Sequence, residues 1–210
     1  MSISNNSSLF SEALVLLDDG DFVQGQVKLE EVIESSRRQE DFNTLIPALV
    51  CMADLQVQLD EFERADALLG EVFSCEKKIE VRNKKEEQQD DETLVQDIQN
   101  AHFVHDMLMC RRVFNKALDL LETDLLEDGE FAMLQAITLS EQKKCYDTLL
   151  ASLICMADML IQLKRPEEAK VFLDKALTYE SSGEAVANLP TYKEVFADNF
   201  ERARELLTQI

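Results

Sequence analysis

Residues 42–69 read FNTLIPALVCMADLQVQLDEFERADALL, and residues 146–173 read YDTLLASLICMADMLIQLKRPEEAKVFL. The two stretches agree at 12 of 28 positions, and Cys51-Met52-Ala53-Asp54 returns as Cys155-Met156-Ala157-Asp158. Their offset of 104 positions is close to three units of about 34 residues, and fixed periods of that order mark stacked helical repeats. In each copy the apolar spacing predicts a hairpin of two helices. Residues 42–59 form the first helix, with Pro47 in its first turn, where a missing N–H costs little. Asp60-Glu61 turns the chain and residues 62–73 form the partner helix. In the second copy Pro166 sits at the start of the partner helix, its favoured place.

The same punctuation appears outside the duplicated stretch. Leu9, Phe10, Ala13, Leu14, Leu16 and Leu17 follow helical spacing, and Asp18-Asp19-Gly20-Asp21 then predicts a tight turn before a helix over 22–33. Glu127-Asp128-Gly129-Glu130-Phe131 has the same acid–Gly–acid–aromatic form and predicts a second such turn, because glycine accepts φ > 0 at a helix end and the next acid caps the following helix. Residues 60–69 are echoed by residues 198–207 (DNFERARELL), which predicts a C-terminal capping helix starting near Thr191, after Pro190. The stretch 76–92 (EKKIEVRNKKEEQQDDE) is nearly devoid of apolar residues and reads as a helix extension or a charged connector. A helical stripe resumes over 93–121. These boundaries divide the chain into 1–75, a connector 76–93, a second half 94–183 with a leading helix, and a cap 184–210.

Composition narrows the function classes. Hydrophobic residues make up 46% of the chain, enough to bury a core, while five glycines and three prolines favour helices over turns and strands. The formal net charge is −21. Such a surface repels phosphate backbones and anionic membranes, so the matching partner is a basic peptide or protein face, with no nucleic acid and no membrane. Five scattered cysteines without a close CxxC pair fit a reduced, intracellular protein. The start MSISNNSSLF lacks a basic region followed by an apolar run, and no apolar stretch approaches the ~20 residues of a membrane span. A cytoplasmic protein is expected.

With these residues in place, the sequence resembles the tetratricopeptide repeat (TPR) family, whose units pair two antiparallel helices. Ala13, Ala53 and Ala157 occupy the small position of the first helix; Gly25, Ala65 and Ala169 that of the second. Phe22, Phe62 and Phe131 supply an aromatic after the turn, and Leu29, Leu69 and Leu173 the large inward residue. Two backbones approach closely only where side chains are small. The resemblance implies an all-α, TPR-like α-solenoid of stacked antiparallel hairpins, with units at 6–39, 46–79, 115–148 and 150–183. The third unit departs from the pattern, with Glu122 and Leu134 where small residues are expected, and Pro166 replaces an aromatic in the fourth.

In that family the first helices line a concave groove. The resemblance and helical spacing together place Val50, Cys51, Asp54, Val57 and Gln58 on that face in one half, and Ile154, Cys155, Asp158, Ile161 and Gln162 in the other. The sharp reading is an acidic, twice-repeated strip gripping a basic helix or extended peptide. The plainer alternative is similarity left from duplication, with both aspartates solvated. Family members that clamp the acidic C-termini of heat-shock chaperones use Lys, Asn and Arg at these places, where this chain has Ser7, Ser11, Pro47, Cys51, Ala151 and Cys155. His102 and His105 share a helix face near Asp97, Asp106 and Cys110, yet no HExxH or second cluster accompanies them, so structural histidines are expected. No GxSxG, Walker loop or GxGxxG occurs. The expectation is therefore a protein-binding adaptor or scaffold, not an enzyme, needing no cofactor or metal. A dedicated chaperone or peptide-sensing regulator, an unrecognised all-α enzyme built on His102, His105 and Asp106, and self-association through helix edges are the alternatives.

Overall fold

A computed structural model of the chain describes residues 3–86, 92–189 and 192–210. Among the described residues it is all-α, with ten helices and no strand. They are α1 (Ile3–Asp18), α2 (Phe22–Gln39), α3 (Phe42–Gln58), α4 (Phe62–Glu86), α5 (Glu92–Glu122), α6 (Leu126–Lys143), α7 (Tyr146–Gln162), α8 (Pro166–Ser182), α9 (Glu184–Asn188) and α10 (Lys193–Leu207). The chain divides into two compact units, Met1–Leu108 and Met109–Ile210, and the division falls inside α5.

In the first unit each helix packs on the next: α1 on α2, α2 on α3 and α3 on α4, with α1 also touching α3. Leu29, Ile46, Leu49, Met52 and Leu69 are fully buried between them. In the second unit α6 packs on α7 and α7 on α8, and α10 lies against both α7 and α8. Its core gathers Met133, Leu149, Leu150, Leu153, Met156 and Leu173 around Phe196 of α10.

Six turns share one closure. In each, an N–H reaches back five residues: Asp21 to Leu16, Asp41 to Ser36, Glu61 to Gln56, Leu125 to Leu120, Cys145 to Ser140, and Arg165 to Leu160, all at 2.8–3.0 Å. The residue before each donor has left-handed φ: Gly20 (82°), Glu40 (52°), Asp60 (58°), Asp124 (59°), Lys144 (57°) and Lys164 (60°). This is the Schellman termination, in which the last carbonyls of a helix are satisfied as the chain reverses. The six fall into three pairs separated by the offset of the sequence duplication, so the duplication extends beyond residues 42–69 and 146–173 to cover α1–α4 and the end of α5 through α8.

Several expectations are corrected. Gly129 lies inside α6, not in a turn; the reversal is made by Asp124, a residue without glycine's freedom and so harder to read. A Cβ on Gly129 would lie 2.5 Å from Leu121 Cδ2 and 3.2 Å from its backbone N, and Gly25 meets Leu17 in the same way. The small residues at the helix crossing are thus Ala117 and Gly129, five positions before 122 and 134, where Glu122 and Leu134 are both exposed. Phe131 is correspondingly 63% exposed and does not pack after a turn. Pro47 stands in the second turn of α3, because that helix already starts at Phe42. Residues 76–86 continue α4 as helix; residues 87–91 and Pro190-Thr191 lie outside the described residues. The last long helix starts at Lys193, after the short α9.

Two glycine substitutions should move stability in opposite directions. Gly70 is exposed inside α4, and a Cβ at this position would meet nothing within 4 Å; Gly70→Ala should raise stability by about 0.5–1 kcal/mol. Gly129→Ala must push Leu121 aside and should lower it by about 1–3 kcal/mol. Urea unfolding followed by circular dichroism checks both signs.

Candidate partner-binding faces on α3 and α7

Cys51, Asp54 and Gln58 are spaced i, i+3 and i+7 along α3 and share one side of it. Gln58 Nε2 donates to Asp54 Oδ2 at 3.1 Å, which fixes the carboxylate on this side of the helix. Cys51 is half-buried, and its thiol is pushed up to about 11, first by burial and then by the negative charges of Asp54 and Asp18. Asp18 ends α1, so the negative field on this face comes from two helices. Sequence reading missed Asp18, although its place just before Gly20 carries it to the end of the neighbouring helix.

On α7, Cys155 and Asp158 are half-buried and Gln162 is exposed. Burial and then Asp158 push the Cys155 thiol up. Here α10 lies along α7. Arg202 of α10 places Nη2 at 3.5 Å from Asp158 Oδ2, while its Nη1 reaches Glu205 at 3.1 Å. Arg202 aligns with Arg64 in the shorter echo of residues 60–69, but nothing in the sequence assigned it to Asp158.

The two aliphatic positions of each strip move inward. Val50 and Ile154 are each only 8% exposed, Val57 is fully buried and Ile161 is half-buried against the second unit's core. Seven residues make about two turns, so Val50 and Val57 share a side of α3, and that side is turned into the core. The strip is therefore narrower than the sequence implied: a thiol, a carboxylate and an amide on each helix.

Its chemistry is that of an acceptor surface. With both thiols protonated near neutral pH, neither cysteine is a ready nucleophile, since the thiolate is the reactive form. A carboxylate flanked by an amide accepts hydrogen bonds from Lys or Arg. His102 and His105 are used differently: Phe73 stacks on His102 at 4.9 Å between centroids and meets His105 edge-on at 5.9 Å. Among the described residues no group of three or more His, Cys, Asp or Glu could hold a metal ion, and no helix is long and apolar enough to cross a membrane. In comparisons with known proteins, no family model, no curated protein and no solved structure matches this chain.

The raised Cys51 thiol sets an alkaline limit. Its folded-state value lies above the ordinary 9.0, so its contribution to stability is complete below pH 9 and is lost as pH rises from there towards 11. In a variant carrying Cys51 as its one cysteine, iodoacetamide should label the folded chain slowly at pH 8, and Asp54→Asn should speed labelling. Rapid labelling at pH 7 would contradict this environment.

Proposed function

We propose that this protein is a TPR-like helical-repeat scaffold that binds a basic segment of another protein and carries out no chemistry of its own. The observation that supports it most is a set of side-chain ties between second helices of successive hairpins. Arg37 Nε and Nη2 bond to Glu71 Oε1 and Oε2 at 2.7 and 2.8 Å, and Arg64 pairs with Glu30, both across 34 residues. In the second unit Lys175 Nζ bonds to Glu141 at 2.8 Å across 34 residues, and Arg165 grips Glu130 at 2.7 and 3.0 Å across 35. Equivalent turns of successive hairpins lie 40 residues apart in both units, Gly20 and Asp60 in the first and Asp124 and Lys164 in the second, a longer period than the roughly 34 expected. Within each unit these ties link one hairpin to the next, as neighbouring units of a helical stack do. Stacked repeats present preorganised surfaces that bind without a large ordering cost on their own side.

The face on α3 is the site this reading favours. Asp54, Gln58 and the nearby Asp18 offer acceptors and negative charge in a chain of net charge −21. On α7 the equivalent Asp158 already has a guanidinium beside it, from Arg202 of the same chain. That internal contact supports a guanidinium or ammonium group as the kind of ligand such an aspartate accepts. An adaptor of this kind, working in the cytoplasm, needs neither metal nor cofactor.

The reading is tested with fluorescent Lys/Arg-rich helical peptides and charge-matched acidic controls in anisotropy titrations. Basic peptides should bind, more weakly as salt rises. Asp54→Lys should weaken them about tenfold or more, with circular dichroism unchanged. Equal binding of acidic and basic peptides, or indifference to Asp54→Lys, would overturn it.

A further inference from the structure

The duplication exposes a contrast between two equivalent grooves. In the first unit the groove between α1 and α2 is lined by Glu30, Glu31, Glu34 and Arg38, beside Leu9 and Val27. Every residue lining the matching groove of the second unit, between the end of α5 and α6, is uncharged. Position for position, Glu30 becomes Leu134, Glu31 becomes Gln135, Glu34 becomes Thr138, Arg38 becomes Gln142 and Val27 becomes Phe131. The last change adds a large ring to the surface, where Phe131 is 63% and Leu134 40% exposed. A chain with 30% charged residues thus keeps three turns of one helix face free of charge. The one threonine hydroxyl there, on Thr138, is satisfied internally by donating to Leu134 O at 2.8 Å.

What surrounds this stripe identifies its occupant. Glu127 and Asp128 lie in the first turn of α6 and Lys143 in its last. Two α6 helices laid antiparallel about a two-fold axis would bring the acidic start of each against the basic end of the other. The uncharged stripes would meet in between, and the helix dipoles would oppose. Elsewhere the surface of a chain with net charge −21 sets carboxylates against carboxylates when copies approach. We infer that the protein forms a two-fold dimer by antiparallel pairing of α6, with Phe131, Leu134, Thr138 and Leu139 at its centre and Glu127 facing Lys143 of the second copy. One helix face per copy is a small contact, so the dimer is of micromolar rather than nanomolar strength.

Sedimentation velocity of the full chain over a concentration series tests this. The wild type should pass from monomer to dimer. Phe131→Glu should weaken dimerisation about tenfold or more and, being a substitution at an exposed site, should leave the helical circular dichroism intact. Glu127→Lys and Lys143→Glu should each weaken the dimer, and the two together should restore it, an outcome specific to antiparallel pairing. A wild type that stays monomeric at every concentration, a dimer indifferent to Phe131→Glu, or a failure of the double charge swap to recover association would each overturn the proposal.

Discussion

The structure rests on one backbone device used six times. At the end of a helix the chain enters the left-handed region for a single residue, and the N–H after it bonds to a carbonyl five residues back. The bond satisfies carbonyls that a helix end would otherwise leave open. It also fixes the direction in which the next helix departs. Only one of the six left-handed residues, Gly20, is a glycine. An L-residue in that conformation costs roughly 1 kcal/mol, so packing of the two helices must hold the other five in place. The small residues complete the constraint: Gly25 and Gly129 let Leu17 and Leu121 lie against the backbone of the returning helix.

Built on that device, the two units share their architecture and differ in surface chemistry. Arg37–Glu71 in the first unit becomes Glu141–Lys175 in the second, an ion pair at the same place with its charges exchanged. The tie persists while the identity of the cation does not, which marks it as a structural contact between successive hairpins. At exposed sites such pairs contribute at most about 1 kcal/mol each, so they adjust register more than they hold the fold. The buried serines tell a similar story. Ser36 and Ser140 occupy equivalent positions, their carbonyls accept the turn bonds, and neither hydroxyl has a hydrogen-bond partner. Where the units part company is on faces turned away from the core: the α1–α2 groove is charged and the α5–α6 groove is not.

Much of the helical plan was legible because its signals are local. Apolar spacing located the helices through the two CMAD segments, Asp18-Asp19-Gly20-Asp21 marked a turn, and Pro166 marked the start of α8. Met52 and Met156 in the core, with Ala53 and Ala157 at close crossings, follow from the same periodicity. The errors share a cause, which is that glycine and aromatic residues carry more than one meaning. Gly129 looks like a turn residue beside acids, yet it serves as a packing residue while Asp124 turns the chain. That ambiguity shifted the third unit by five positions and hid Phe131 as an exposed ring. On the binding faces, the polar residues were legible from duplication. The inward rotation of Val50 and Val57, and the seating of Arg202 on Asp158, depend on tertiary packing that one helix's pattern does not encode.

The repeated closure itself can be observed directly by native-state hydrogen exchange. The amides of Asp21, Asp41, Glu61, Leu125, Cys145 and Arg165 lie outside helices, where exchange at free-peptide rates is the ordinary expectation. If each is bonded five residues back as described, all six should be protected to a degree comparable with the helices they join. Free-peptide exchange at these six amides, with the helices protected, would contradict the account.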